Sequence, residues 1–139
     1  MIKFALSPLM SCIVALSQPL TPEILQDYKA CKVAEMQVAS VTNWRPLIEK
    51  YFKPEDVDKA MRIVFCESSG RSYAVGNNTN GTRDVGLWQF NDDTWAWLKP
   101  KLKIKKDRYD AETSTAVASW LVYNDGWYHW NSSKHCWGK

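Results

Sequence analysis

Residues 66–91, CESSGRSYAVGNNTNGTRDVGLWQFN, decide how the rest of the chain is read. A helix runs into this stretch. Lys53-Pro54-Glu55-Asp56 announces it, with proline near the first helical position and two acids in the first turn. Val57, Ala60, Met61 and Val64 then recur at the spacing of one apolar helical face, and Glu67, three residues after Val64, falls on the same stripe. Gly70 is the stop signal. Asn80-Gly81, between short runs at 73–77 and 83–87, reads as a tight hairpin turn. After Asn91, Asp92-Asp93-Thr94 offers caps for a further helix.

The apolar stripe desolvates a carboxylate at position 67, and the negative end of the helix dipole lies close by. Both effects favour the protonated form, which is how a glutamic acid becomes a proton donor near neutral pH. The competing reading is a glutamate at a frayed helix end whose head reaches water. A hairpin folding back beside the helix end would bring Asp84 across a cleft from Glu67, with Asn78, Thr82 and Gln89 at hand. One carboxyl in apolar surroundings and one in polar surroundings is the arrangement glycoside cleavage needs. The first protonates the leaving oxygen, and the second stabilises or traps the cationic sugar.

The segment ESSGRSYAVGNNTNGTRDVGLWQFN resembles the active-site segment of the lysozyme superfamily. The glutamate, the asparagine-rich hairpin, the aspartate and the following glycine, glutamine and asparagine fall in the register of animal-type lysozymes. The glutamate-serine start and the D-x-G-x-x-Q-x-N ending also resemble small lytic transglycosylases. CESSG, and QF followed by TW, are similar to the resuscitation-promoting factors, which place a cysteine just before the catalytic glutamate. The resemblance covers 54–139 and implies an α+β fold, mainly α, with several helices and a small β-hairpin beside the active-site cleft. It implies Glu67 and Asp84 as catalytic residues acting on peptidoglycan glycan strands, with Asn78, Gln89, Asn91, Trp95 and Trp127 holding sugars.

Trp95 falls where animal-type lysozymes line the cleft with aromatic side chains, while Trp97 and Trp120 read as core. Trp127 and Trp130 have the spacing of the tryptophan pair that precedes a bridging cysteine in those enzymes. There the first member packs beside the acid, so Trp127 would wall Glu67. Animal-type lysozymes also bridge these two regions, from a cysteine one helical turn earlier than Cys66, and on that basis Cys66 pairs with Cys136.

Three functions fit this pattern: a muramidase that cuts the β-1,4 bond between N-acetylmuramic acid and N-acetylglucosamine by hydrolysis, a lytic transglycosylase that leaves an anhydro sugar, and a non-catalytic glycan-binding module on the same scaffold.

The remainder of the chain frames the domain. Residues 1–17 carry Lys3, an apolar run and Ala15-Leu16-Ser17, and read as a secretory signal peptide too short for a membrane span. A secreted or periplasmic protein with no transmembrane span in its mature form is expected. Residues 18–53 form an N-terminal helical segment, entered at Thr21-Pro22-Glu23 with a patchy stripe of Ile24, Leu25, Tyr28 and Cys31, followed by a short helical piece at 44–52. They join 54–139 in one domain. Cleavage would remove Cys12 and leave Cys31 as a free thiol or an intermolecular partner.

Within 99–108, Lys99, Lys101, Lys103, Lys105, Lys106 and Arg108 make a basic run that reads first as a solvated face and second as attraction to anionic cell-wall polymers. The net charge of +3 suits such a partner. No nucleic-acid motif accompanies the run. Asp110 caps a last long helix that Asn124-Asp125-Gly126 stops. With no Cys-x-x-Cys pair, and His129 and His135 spaced unlike metal ligands, neither metal nor cofactor is expected.

Overall fold

The computed structural model describes residues 21–139, so the expected signal peptide lies outside the described residues. The chain divides into two units, 1–39 and 40–139. After Thr21, the described part of the first falls in helix α1 (Pro22–Thr42), whose last three residues belong to the second unit. Its start is held by the Thr21 hydroxyl, which accepts from the Ile24 amide at 3.3 Å. Ile24, Tyr28 and Cys31 are half-buried at helical spacing, while Leu25 and Val33 are exposed. Cys31 is disulfide-bonded in the uncleaved chain.

The second unit is mainly α-helical, with one small sheet. Helix α2 (Arg45–Tyr51) ends at Phe52. A single 3₁₀ turn at Pro54–Asp56 feeds helix α3 (Val57–Ser68), as the proline and the two acids predict. Val57, Ala60, Met61, Ile63 and Val64 are buried, so α3 carries a wider apolar face than the four-residue stripe. The helix stops where Ser69 (φ 52°) and Gly70 (φ 74°) turn left-handed in succession.

The expected hairpin is an antiparallel sheet of three strands in the order β1 (Val75–Asn77), β2 (Arg83–Val85), β3 (Phe90–Asn91). The turn between β1 and β2 is longer than a two-residue turn. The Asn78 amide donates to the Thr82 carbonyl at 2.9 Å, and the Asn80 side chain accepts from the Thr82 amide at 3.1 Å. That side-chain bond mimics a backbone turn and leaves Gly81 (φ 85°) to close the loop. Register places Gly76 and Asn91 opposite Asp84 on its two sides, so the three share one face of the sheet.

Gly86 (φ 86°) makes the bend after β2, where any Cβ would stand 2.3 Å from the Arg108 carbonyl oxygen. Helix α4 (Asp92–Lys101) is capped by Asn91, whose side chain accepts from the Asp93 amide, rather than by the acids that follow. Helix α5 (Ala111–Asp125) is capped by Asp110, which accepts from Thr113, and ends at Gly126. A 3₁₀ segment (Trp127–Ser133) and helix α6 (Lys134–Trp137) complete the chain.

The core is organised on Trp88, which is fully buried. It stacks on Phe52 with ring centroids 5.4 Å apart and meets Trp130 edge-on at 5.5 Å. Its indole N–H donates to the Thr115 hydroxyl at 3.0 Å, and its carbonyl accepts from the Trp130 indole at 3.0 Å. Both polar ends of this buried pair are therefore satisfied. Ser68 ties the end of α3 to the same turn by donating to the Leu87 carbonyl at 2.8 Å.

The Cys66–Cys136 bond forms across a sequence separation of 70 residues and joins α3 to α6. In the chain-entropy picture a loop of this length is worth roughly 4 kcal/mol. Among the described residues no helix is long and apolar enough to cross a membrane.

Candidate active site

A groove of about 610 Å³ runs between the end of α3, the sheet and the 3₁₀ segment, within the range of ligand-binding clefts. Glu67, Asp84, Asn78, Gln89 and Asn91 all line it, so five of the expected site residues come together. Phe90, Leu121 and Trp130 supply its apolar lining, and the Asn/Thr-rich turn between β1 and β2 its polar rim.

Glu67 is half-buried at the last turn of α3. Burial pushes its carboxyl above the usual range, the nearby Asp84 charge pushes in the same direction, and a hydrogen bond donated by the Ser133 hydroxyl to Oε1 opposes both. Asp84 sits at the middle of the sheet on its groove face. Its Oδ1 accepts from Asn91 Nδ2 at 2.8 Å. The absence of a side chain at Gly76 leaves room for the Gln89 amide, whose Oε1 would lie 3.2 Å from a Cβ there.

Two of the expected sugar-holding residues also hold the scaffold together. Asn91 donates to Asp84 and to the Thr82 hydroxyl, and accepts the Asp93 amide at the start of α4. Gln89, at φ 50°, donates Nε2 to the Ala74 and Gly86 carbonyls. Both face the groove, but these amide contacts fix the sheet and the 86–89 bend.

Two others do not reach the groove. Trp95 is buried, packing on Phe90 at 5.3 Å. On α4, Trp95 and Leu98 face inward at i, i+3, and Trp97 is turned out. Trp97 is 47% exposed with Lys101 Nζ 5.2 Å over its ring, which corrects its core assignment; Trp120 is half-buried and takes the same lysine at 5.5 Å. Trp127 stacks on Phe52 at 5.9 Å and carries Lys59 Nζ 4.6 Å over its ring. The tryptophan in the groove wall is Trp130.

Arg108 leaves the basic run altogether. It is buried, donating to the Phe90 carbonyl at 2.7 Å and to Asp92 at 2.6 Å. Asp92 also accepts the Arg83 amide at 2.8 Å, and these bonds hold its carboxyl below the usual range. The effect is to clamp β2 and β3, the strands that carry Asp84 and Asn91. Arg108 is the buried member of the pair and Asp92 is half-buried, so removing Asp92 would leave the buried guanidinium without its carboxylate.

Sequence reasoning missed Trp130 and His129 as groove elements and Ser133 as the hydrogen-bond partner of Glu67. His129 lines the groove with Nε2 2.7 Å from Asp125. A signal for Ser133 was present: once Cys66 is paired with Cys136, the residue next to Cys66 must face the few residues before Cys136. Among the described residues no cluster of His, Cys, Asp and Glu could hold a metal ion.

A shielded glutamic acid and a hydrogen-bonded aspartate lining one polar-rimmed groove can supply a proton and a negative charge to the same bound ligand. Comparison with curated proteins finds no match. The family model described as "Lysozyme like domain" matches residues 48–132, from the second half of α2 through the carboxyl-bearing helix, the sheet and the groove wall; the chain belongs to that family.

Proposed function

We propose that this chain cleaves the β-1,4 bond between N-acetylmuramic acid and N-acetylglucosamine in peptidoglycan. The observation that carries the reading is Glu67: a carboxyl with its pKa raised by burial, standing in a groove it shares with Asp84. Glu67 donates its proton to the glycosidic oxygen as the bond breaks. Asp84 faces the positive charge that develops on the sugar ring and stabilises it or forms a bond to it. Asn78 on the rim meets the sugars directly, and the Asn91 amide keeps Asp84 in place.

The disulfides suit an extracellular or periplasmic setting, where they persist and where peptidoglycan lies. The exposed lysines at 99–106 favour approach to anionic wall polymers.

Digestion of purified peptidoglycan, with the fragments weighed, tests the reading. Glu67→Gln should lower turnover at least 100-fold with the fold intact, since general acid catalysis contributes on the order of 10²–10⁴. Near-normal lysis by that variant would refute it and leave a glycan-binding module as the better account. In the active protein, a reducing end that has gained water marks hydrolysis. An anhydro end marks capture by the substrate's own hydroxyl, with Glu67 acting first as acid and then as base.

A further inference from the structure

Ser133 stands at a branch point in the hydrogen bonding behind Glu67. Its hydroxyl lies within hydrogen-bond reach of Glu67 Oε1 and, at 3.2 Å, of the Trp130 carbonyl. A serine carries one proton, so it donates to only one of these at a time. The Trp130 carbonyl has a second donor, the Trp137 indole at 3.0 Å, and is not left bare when Ser133 turns away. The Ser133 proton is therefore free to serve Glu67. Within the described residues no hydrogen bond engages the other carboxyl oxygen, Oε2.

The disulfide holds this contact in place. Cys66 precedes Glu67 by one residue and Cys136 follows Ser133 by three, so the bond draws the serine's segment against the end of α3. The other polar and charged groups near the site are accounted for. Asp84 approaches from β2, and His129, from the 3₁₀ segment, is paired with Asp125. Arg71, just past α3, donates to the Ser68 carbonyl, and Lys134 and His135 on α6 are exposed.

Resting on the function proposed above, we propose that Ser133 is the positioning residue for proton donation by Glu67: it occupies Oε1, leaves the transferable proton on Oε2, and binds more strongly as the carboxylate forms. With the acid neutral, the serine donates to a carbonyl-like oxygen. As the glycosidic oxygen takes the proton from Oε2, the charge left on the carboxyl makes the same contact a charge-assisted bond, which is roughly twice as strong. An interaction that grows along the reaction coordinate lowers the barrier rather than merely aiding binding.

The test compares wild type with Ser133→Ala, Ser133→Thr and Glu67→Gln on solubilised, uncross-linked glycan strands, reading kcat and KM across pH. Because the serine bond favours the ionised carboxyl, its loss should move the basic limb of the kcat profile to higher pH. The maximal kcat should fall roughly tenfold, as expected for losing a hydrogen bond to a charged group, with KM little changed. Ser133→Thr should restore both. An unmoved limb with full turnover in Ser133→Ala would overturn the assignment, as would a loss that threonine does not rescue. Should Ser133→Ala fail to unfold cooperatively, Ser133→Cys, a weaker donor of similar size, must shift the limb in the same direction or the assignment falls. An inactive Glu67→Gln beside a normal Ser133→Ala rejects the serine's role alone, whereas an active Glu67→Gln rejects the underlying function as well.

Discussion

Asn91 holds Asp84 by one end of its amide and starts helix α4 with the other: Nδ2 donates to Asp84 at 2.8 Å, and Oδ1 accepts the Asp93 amide at 3.0 Å. The two tasks can be separated. Asn91→Ala should lose about 1 kcal/mol from the missing cap and should also slow turnover. Asn91→Ser retains a capping oxygen but is too short to reach Asp84. It should keep most of its thermal stability and still lose activity. If the serine variant turns over peptidoglycan as fast as wild type, the amide is a cap and nothing more.

Glu67 makes the folded protein sensitive to pH in a definite direction. Its pKa is raised on folding, chiefly by burial, so the native state holds the proton more tightly than the unfolded chain. Stability from this group is fully present below the unfolded carboxylate range, about pH 4, and is lost as pH rises through the folded value. Glu67→Gln removes the dependence while its Oε1 can still accept from Ser133. The variant should melt at higher temperature than wild type above that window, and the gap should close in acid. A constant gap at every pH would mean that the carboxyl is not desolvated in the folded protein.

What the sequence disclosed was whatever rests on local pattern. The approach to α3, the stripe that carries Glu67 and the Asp110 cap follow from spacing and turn chemistry, and all are present. Strand β3 was not visible because two residues, Phe90 and Asn91, make too short a run to show alternation. The tryptophans were misassigned for a related reason. Trp95 and Trp97, two positions apart, stand on opposite sides of α4, and only the packing of Trp95 on Phe90 decides which of them enters the core. Arg108 looked like one more charge in a basic run, because only the fold brings Asp92 and the Phe90 carbonyl to it. The contact between Glu67 and Ser133 spans 66 residues and is set by the disulfide, beyond the reach of any periodicity.

Gly86 is a position where the fold admits no side chain. Its φ of 86° is strained for other residues, and an added Cβ would meet the Arg108 carbonyl oxygen at 2.3 Å, against backbone that a rotamer change cannot relieve. Gly86→Ala should therefore cost about 2 kcal/mol or more, by overpacking and by backbone strain together. Chemical denaturation checks this. A loss under 0.5 kcal/mol, on the order of an ordinary surface change, would show that the bend can open.

The lysine face makes a prediction that separates attraction from catalysis. Lys99, Lys103 and Lys105 are exposed, and none belongs to the groove lining. Changing all three to glutamine takes the net charge from +3 to 0 (3 − 3) while leaving Lys101 over Trp97 and Trp120. Charge acting at a distance speeds encounter with a polyanion and is screened within about 8–10 Å at moderate salt. The triple variant should then lyse intact walls several-fold more slowly at low ionic strength, converge with wild type as salt is raised, and match it on short neutral oligosaccharides at any salt. Equal rates on intact walls at low salt would identify the face as solvated surface only. A deficit that persisted on short oligosaccharides would show instead that these lysines act on the groove itself.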